Sequence, residues 1–132
     1  NVNFCKGSRF LNQLEIQKIP KIRYFGNVVL TFLTKKICKI ENITDAVNGF
    51  IAIKSELLEK IELNEVSNDY FFEEDLIFKL SFYKMIIKKI PIETIYFDNQ
   101  SSLNPFAVIL PFLFRHFKNY TIRLKNEYFN KK

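Results

Sequence analysis

Apolar residues recur along this chain with two different periods, which predicts a mixture of helices and strands. Between residues 21 and 36 the large apolar residues fall at helical spacing, and Pro20 stands where proline favours a helix start. These apolar positions are Ile22, Phe25, Val29, Phe32 and Leu33. Gly26, in the interior of this helix, costs about 1 kcal/mol relative to alanine. A close backbone approach or a helix crossing would account for that cost.

Short apolar runs bounded by polar residues predict the strands of the chain. Residues 1–10 resemble the end of one strand, and the run at residues 49–53 has the length of another. Residues 85–97 are rich in isoleucine with polar residues between, which predicts a third strand. Pro91 cannot donate a hydrogen bond to a neighbouring strand, so this strand is expected to be irregular or to lie at a sheet edge.

Three further helices follow from the periodicity. Ser55 is a suitable N-cap for a brief helix over residues 56–61. Residues 70–83 form another helix, whose apolar stripe consists of Phe72, Leu76, Leu80 and Tyr83. The last helix begins near Asn104, and Pro111 is expected to kink or split it. The apolar side of that helix consists of Phe106, Ile109, Leu110, Leu113, Phe114 and Phe117.

The composition indicates a packed domain of mixed α and β structure. Of the 132 residues, 48% are hydrophobic and 16% are aromatic, which is enough to form one core. The predicted strands are too few for a complete α/β sheet. Cys5 and Cys38 form neither a metal-ligand spacing nor a disulfide framework, so a reduced compartment is the simpler inference.

The net charge of +6 is concentrated towards the C-terminal end of the sequence. Residues 103–132 carry six Lys or Arg and one Glu, a balance of +5, which indicates an anionic partner or a solubilising tail. A basic margin of Arg115, Lys118 and Arg123 beside an apolar side is typical of a helix lying on anionic lipid, and equally of a core-packing helix with solvated edges. The longest apolar run there, residues 105–114, is far shorter than the roughly 20 residues that span a membrane.

Two acidic groups are candidates for chemistry. Asp45 lies in a polar loop before a strand, where a carboxylate can orient or deprotonate a hydroxyl, or simply form a turn. Glu73, Glu74 and Asp75 begin a helix, where acidic residues stabilise the helix dipole. Three together exceed that need, and burial together would raise at least one pKa. On a helical wheel Glu74 points away from the apolar stripe, so Glu73 and Asp75 are expected to face a cleft.

The basic candidates are Arg9, Arg23 and Lys21. A guanidinium suits bidentate contact with phosphate, which makes the two arginines the stronger candidates for phosphate binding. Each of these residues by itself is more often an ordinary surface charge than a ligand-binding group.

Five groups of residues, in this order and spacing, resemble the family 2 glycosyltransferases, most nearly the dolichol-phosphate mannose synthases and polyprenyl-phosphate glycosyltransferases. The groups are residues 7–10 (GSRF), 21–27 (KIRYFGN), 44–50 (TDAVNGF), 70–75 (YFFEED) and 91–96 (PIETIY). The resemblance implies a partial GT-A fold, a Rossmann-like mixed sheet flanked by helices. Residues 1–102 would be its C-terminal half, and residues 103–132 a basic amphipathic helical segment. The family's first half binds the nucleotide and ends in an Asp-x-Asp metal motif that occurs nowhere in this sequence, so that half is expected to lie outside this chain.

The resemblance also assigns roles by position. Asp45 matches the family's aspartate near the transferred sugar and acceptor phosphate, and the catalytic acidic motif on the acceptor side is matched by Glu73, Glu74 and Asp75. The residues expected to bind phosphate or substrate are Arg9, Arg23, Asn27, Gly49, Ser101 and Ser102. A divalent metal, Mg²⁺ or Mn²⁺, is expected in the full-length enzyme, with its ligands mostly in the missing half and none assigned here. Residues 98–103 lack the cation that dolichol-phosphate mannose synthases carry, which leaves other acceptors open.

The implied reaction is inverting transfer of a sugar from a nucleotide-sugar donor to a polyprenyl-phosphate or cell-envelope glycan acceptor. The enzyme is expected at the cytoplasmic face of the cell membrane, bound peripherally, and this fragment is expected to be inactive alone. The alternative is a stand-alone module that binds a membrane surface or an anion without catalysis. Nucleic acid is not expected among the partners, because no recognition motif for it occurs.

Overall fold

The computed structural model describes residues 1–93 and 105–129, which form three β-strands, five α-helices and two short 3₁₀ turns. The predicted mixed α/β class is confirmed. The chain divides into two units, Asn1–Tyr96 and Phe97–Lys132, and the first of them contains the sheet. The predicted boundary after residue 102 falls between residues 94 and 104, outside the described residues.

The sheet is built on β1 (Phe4–Ser8), which lies between β2 (Ile51–Ile53) and β3 (Ile87–Pro91). β1 runs antiparallel to β2, with Phe4 opposite Ile53, and parallel to β3, with Phe4 opposite Ile87. β3 is an edge strand of this sheet and ends at Pro91, which agrees with the expectation from the proline. All three predicted strands are present, and each is shorter than predicted.

Gly7 allows the segment before β2 to approach β1 closely. A Cβ atom at Gly7 would lie 2.8 Å from the Cβ of Phe50, which is closer than side chains can pack. The Gly7 N–H donates a hydrogen bond of 2.8 Å to the carbonyl oxygen of Phe50. One residue on, the Thr44 hydroxyl donates to the Ser8 hydroxyl at 2.8 Å. These contacts hold residues 44–50 against the carboxyl end of β1.

The helices of the first unit are α1 (Gln13–Lys18), α2 (Lys21–Cys38), α3 (Ser55–Leu58) and α4 (Phe72–Leu80), with 3₁₀ turns at Arg9–Leu11 and Leu63–Glu65. The sequence pattern predicted α2 and α4 but missed α1, which is capped by a hydrogen bond of 2.9 Å from the Leu14 N–H to the Asn12 side chain. The expectation for Ser55 as an N-cap was wrong. Ser55 is the first residue of α3, and Lys54 precedes it without a side-chain cap.

α2 buries its more polar side. Its buried side chains are Thr31, Thr34, Ile37 and Cys38. Thr34 satisfies its hydroxyl by donating to the carbonyl oxygen of Leu30 at 2.9 Å. A Cβ atom at Gly26 would meet no heavy atom within 4 Å, so the close approach suggested for this glycine is not present.

α4 is buried on nearly all sides, which makes it the central helix of the first unit. Its buried side chains are Glu74, Asp75, Leu76, Ile77, Phe78 and Leu80. The rest of the apolar core of this unit comes from the sheet, α2, α3 and the loops, and consists of Phe4, Ile19, Ile37, Cys38, Ile43, Ala46, Leu57, Val66 and Phe71. Two of the three acidic side chains in the first turn of α4, Glu74 and Asp75, are therefore buried, and Glu73 is half-buried.

The second unit contains α5 (Pro105–Phe129). α5 continues through Pro111 as one helix, so the predicted split at this proline does not occur. Among the helices of the described residues, none combines the length and the apolar content that crossing a bilayer requires.

Candidate active site

Asp45 and Arg9 form a bidentate ion pair at the carboxyl end of β1. Arg9 donates from Nε to Oδ2 at 2.7 Å and from Nη2 to Oδ1 at 2.8 Å. The backbone N–H of Arg9 also donates to Oδ2, at 3.1 Å. Asp45 is fully buried, whereas the Arg9 side chain is 15% exposed. Two residues predicted to have separate roles thus bind each other, and their pairing fixes the 44–50 loop on β1.

The loop is held from a second side by α2 and by its own side chains. The Ala46 N–H donates to the Thr31 hydroxyl at 3.1 Å, which ties the loop to α2. The Asn48 side chain accepts from the Phe50 N–H at 2.7 Å and closes the turn before β2. Together with the Asp45–Arg9 pair, these hydrogen bonds fix the conformation of the loop.

Lys6 occupies a core position of the central strand. Its side chain is fully buried, and its ammonium donates to the carbonyl oxygen of Asn48. Burial lowers the pKa of Lys6 from 10.5 to about 8, although the nearby Asp45 and Glu73, and Glu74 in its ionised form, oppose this shift. A buried cation therefore lies beneath the 44–50 loop.

Glu74 is the most unusual group of the site. It is 1% exposed, and within the described residues neither of its carboxyl oxygens has a hydrogen-bond partner on another residue. Burial raises its pKa from 4.5 to about 8. The backbone N–H of Glu74 opposes this shift, the nearby Glu73 adds to it, and Lys6 opposes it. Glu74 is therefore largely protonated at neutral pH. A buried carboxyl group without partners is costly to the fold, which makes it a candidate for a functional role.

Glu73 brings the start of α4 to the 44–50 loop. A Cβ atom at Gly49 would lie 3.1 Å from Oε1 of Glu73, so this carboxylate lies directly against the loop backbone. Glu73 is half-buried. Two groups of residues that are distant in the sequence, the 44–50 loop and the acidic start of α4, therefore meet around one buried lysine.

Asp75 has a different environment from its two neighbours. Its Oδ2 accepts hydrogen bonds from the Ser67 N–H at 2.9 Å and from the Ser67 hydroxyl at 3.0 Å. These bonds fix the segment that leads into α4. The sequence had favoured Glu73 and Asp75 as the cleft-facing pair, whereas the structure places Glu73 at the loop and gives Asp75 these bonds to Ser67.

Arg23 and Asn27 lie on α2 and are half-buried. They precede Thr31 by eight and four residues, so the three share one face of the helix at intervals of about 6 Å. Because Thr31 binds the loop, Arg23 and Asn27 continue the same helix face away from the loop. Neither residue forms a hydrogen bond or ion pair with Asp45 or Glu73 in the described part of the chain.

The remaining predicted residues are either in the second unit or outside the described residues. Ser101 and Ser102 lie outside the described residues. Arg115, Lys118 and Arg123 all lie on α5 in the second unit, where Lys118 is exposed, Arg115 is half-buried and Arg123 is buried.

The described residues do not fit a divalent metal. Within residues 1–93 and 105–129, no group of three His, Cys, Asp or Glu side chains is placed to hold a metal ion. The acidic site is also occupied in part by a lysine ammonium, which is a poor neighbour for a divalent cation.

Sequence reasoning missed Lys6, and a signal for it was present. Side chains alternate along a strand, so Phe4, Lys6 and Ser8 share one face of β1. All three are fully buried. A lysine between two core positions of a strand breaks the binary pattern, and such breaks tend to occur at functional sites.

Comparison with known proteins gives no family. The chain matches no protein-family model, no curated protein and no solved structure.

Proposed function

We propose that this chain is the acceptor-side and sugar-side half of a GT-A glycosyltransferase, which transfers a sugar from a nucleotide-sugar donor to a cell-envelope acceptor. One observation supports this most strongly: the 44–50 loop and the acidic start of α4, both parts of the resemblance, meet around buried Lys6. Their meeting point follows the carboxyl end of β1, and open α/β sheets bind ligands beyond the carboxyl ends of their strands.

Glu73 is the residue best placed to act on an acceptor hydroxyl. It is half-buried and lies against Gly49, whereas Asp45 is fully engaged by Arg9. In the proposed step the Glu73 carboxylate accepts the hydroxyl proton as the acceptor oxygen bonds to the anomeric carbon. The bond from that carbon to the leaving diphosphate breaks with inversion, and the nucleoside diphosphate departs with the electron pair.

Glu74 has a complementary role in this proposal. Because it is largely protonated at neutral pH, it can donate a hydrogen bond to a sugar or acceptor oxygen that enters the site. Asp45 and Arg9 position the loop, and Asp75 positions the start of α4 through Ser67. A lipid phosphate would need no deprotonation, so a carboxylate at this place favours a hydroxyl acceptor over polyprenyl phosphate.

No step of the proposed reaction is assigned to a divalent metal at the described residues, since these residues do not fit a metal site. The enzyme is proposed to act at the cytoplasmic face of the cell membrane, with exposed Lys118 and half-buried Arg115 of α5 towards anionic lipid. Arg123, which the sequence also assigns to the lipid surface, is buried and is left out of this contact.

The test is a transfer assay on the full-length product of the gene that encodes this chain. A panel of nucleotide sugars is incubated with glycan and polyprenyl-phosphate acceptors, and both the glycosylated product and the released nucleoside diphosphate are measured. The proposal predicts stoichiometric formation of the two with at least one donor. If no donor yields transfer with either class of acceptor, the proposal is wrong.

The second candidate function is a binding module without catalysis. It is favoured by a specific observation, the exposed apolar positions on α2. Vesicle binding by the chain together with no transfer in the panel would support this candidate instead.

A further inference from the structure

The exposed side of α2 has the character of a protein–lipid interface. The apolar face of α2, as we name it, consists of Ile22, Phe25, Val28, Val29 and Phe32. Phe25 is 69% exposed and Phe32 is 56% exposed, and only Val29 of the five is half-buried. The five positions cover about a third of the helix circumference and about 15 Å of its length. Contiguous exposed apolar side chains of this kind mark an interaction surface.

Basic residues frame this face. α2 contains Lys21, Arg23, Lys35 and Lys36 and not one acidic residue. At 100° per residue, Lys21 and Lys36 fall within or beside the apolar face, at its two ends. The Lys36 ammonium lies 5.8 Å from the centroid of the Phe32 ring, and both lysines are exposed. Lysines at the ends of an apolar face can extend their ammonium groups towards anionic headgroups while their stems follow the apolar surface.

We propose that the apolar face of α2 docks on an anionic lipid surface, with the helix lying in the plane of the interface. Phe25 and Phe32 enter the boundary between headgroups and acyl chains, and Lys21 and Lys36 contact lipid phosphates. This inference does not depend on glycosyl transfer, and it assigns the membrane contact to the first unit rather than to α5 alone.

The charge pattern favours lipid over a second copy of the chain. In an antiparallel pair of α2 helices, Lys21 of each copy would lie near Lys36 of the other, and in a parallel pair each lysine would lie near its own counterpart. Either arrangement brings like charges together without an acidic partner on the helix, which is unfavourable at an interface. A surface of anionic headgroups neutralises both ends of the face at once.

The experiment uses the absence of tryptophan from the chain. Phe25→Trp introduces a single fluorescent reporter at the centre of the apolar face, and Leu63→Trp introduces a matched one at an exposed position on a different element. Leu63 is 55% exposed and lies in the 3₁₀ turn Leu63–Glu65. Each variant is titrated with phosphatidylcholine vesicles that contain or lack phosphatidylglycerol.

We expect the Phe25→Trp emission to shift to shorter wavelength only with phosphatidylglycerol vesicles, and brominated acyl chains to quench it. The Leu63→Trp emission should not change. F25Q/F32Q should lower the vesicle partition coefficient by at least about tenfold relative to L63Q/Y70Q. K21Q/K36Q should lower it at low salt more than K84Q/K88Q does.

Three results would overturn the proposal. The first is an unchanged Phe25→Trp emission with vesicles of either composition. The second is a shift that depends on protein concentration without vesicles, which would indicate self-association. The third is equal loss of binding in the α2 variants and their matched controls. Far-UV circular dichroism of each variant verifies that the fold is retained, and R115Q/K118Q measures the separate contribution of α5.

Discussion

The buried carboxyl group of Glu74 should make the stability of the fold depend on pH in a defined direction. Its pKa is about 8 in the folded chain and 4.5 in the ordinary, solvated state. Below pH 4.5 the group is protonated whether the chain is folded or not, so it contributes no pH dependence. Between pH 4.5 and about 8 the unfolded chain releases the proton while the folded chain retains it. The contribution of Glu74 to stability therefore falls as pH rises through this window and levels off above it.

The size of the effect follows from the pKa difference. A rise from 4.5 to about 8 corresponds to about 5 kcal/mol, at about 1.4 kcal/mol for each tenfold change in the acid dissociation constant. Structural relaxation and water entry reduce such penalties in folded proteins, so we expect about 2–5 kcal/mol. Glu74→Gln removes the titration while preserving the shape of the side chain. The Gln variant should therefore become more stable relative to the native chain as pH rises from 4.5 to 8.

The measurement is urea unfolding followed by far-UV circular dichroism at several pH values between 4 and 9. The difference in free energy of unfolding between Glu74→Gln and the native chain reports the Glu74 titration together with its coupling to Lys6, since the other titratable groups are common to both. The uncharged amide also lacks partners and adds a cost that does not vary with pH. Glu62→Gln, at an exposed position, is the matched control and should show no such trend. A difference that stays constant across this range, or that falls with rising pH, would refute the reasoning.

The other predictions concern the groups around Glu74 and the glycines. Lys6→Met should raise the pKa of Glu74 above its value in the native chain, because the Lys6 ammonium lowers that pKa. The carboxyl ¹³C chemical shift of Glu74 measures the titration, and an unchanged pKa would contradict the prediction. Asp45→Asn should reduce the free energy of unfolding by about 3 kcal/mol, because it removes the negative charge that the largely buried guanidinium of Arg9 contacts; a loss below about 1 kcal/mol in urea unfolding would count against this. Gly26→Ala should stabilise the chain by up to about 1 kcal/mol, since a Cβ there meets nothing. Gly7→Ala should destabilise the chain by about 1–3 kcal/mol, because the new Cβ would collide with Phe50. The urea midpoint of Gly26→Ala should therefore be higher than that of Gly7→Ala, and the reverse order would contradict the packing described for the two glycines.

The pattern of apolar residues predicted most of the elements, but not which side of α2 is buried. Periodicity reports a stripe, and a stripe is usually the core face of a helix. In α2 the stripe is exposed because Thr31 and Thr34 lie on the opposite side, where Thr31 accepts the Ala46 N–H. That bond depends on a loop that arrives from elsewhere in the sequence, so no local pattern could reveal it.

α1 was missed although its signal is local. Asn12 followed three residues later by Glu15 resembles a capping box, and Asn12 does cap the helix. The element is short and Leu14 is exposed, so it lacks the apolar periodicity on which the prediction of the other helices depended.

The site was partly predictable, because acidic residues and glycines can be recognised as candidate site residues from their type alone. Asp45, Glu73 and Glu74 were identified in the sequence, whereas the ion pair of Asp45 with Arg9 and the burial of Glu74 were not. A helical wheel places Glu74 on the side opposite the apolar stripe, and on a surface helix that side faces solvent. α4 is buried on both sides, so the same direction leads into the protein.

The measurement that tests the central claim most directly is the turnover of Glu73→Gln in the full-length gene product, beside its affinity for the donor nucleotide. If the 44–50 loop and the start of α4 form one acceptor-side site, the variant should lose at least about 100-fold in kcat. Its dissociation constant for the nucleotide should be unchanged, and Glu62→Gln should match the native enzyme in both. Native turnover in Glu73→Gln, or an equal loss in nucleotide affinity, would contradict the account.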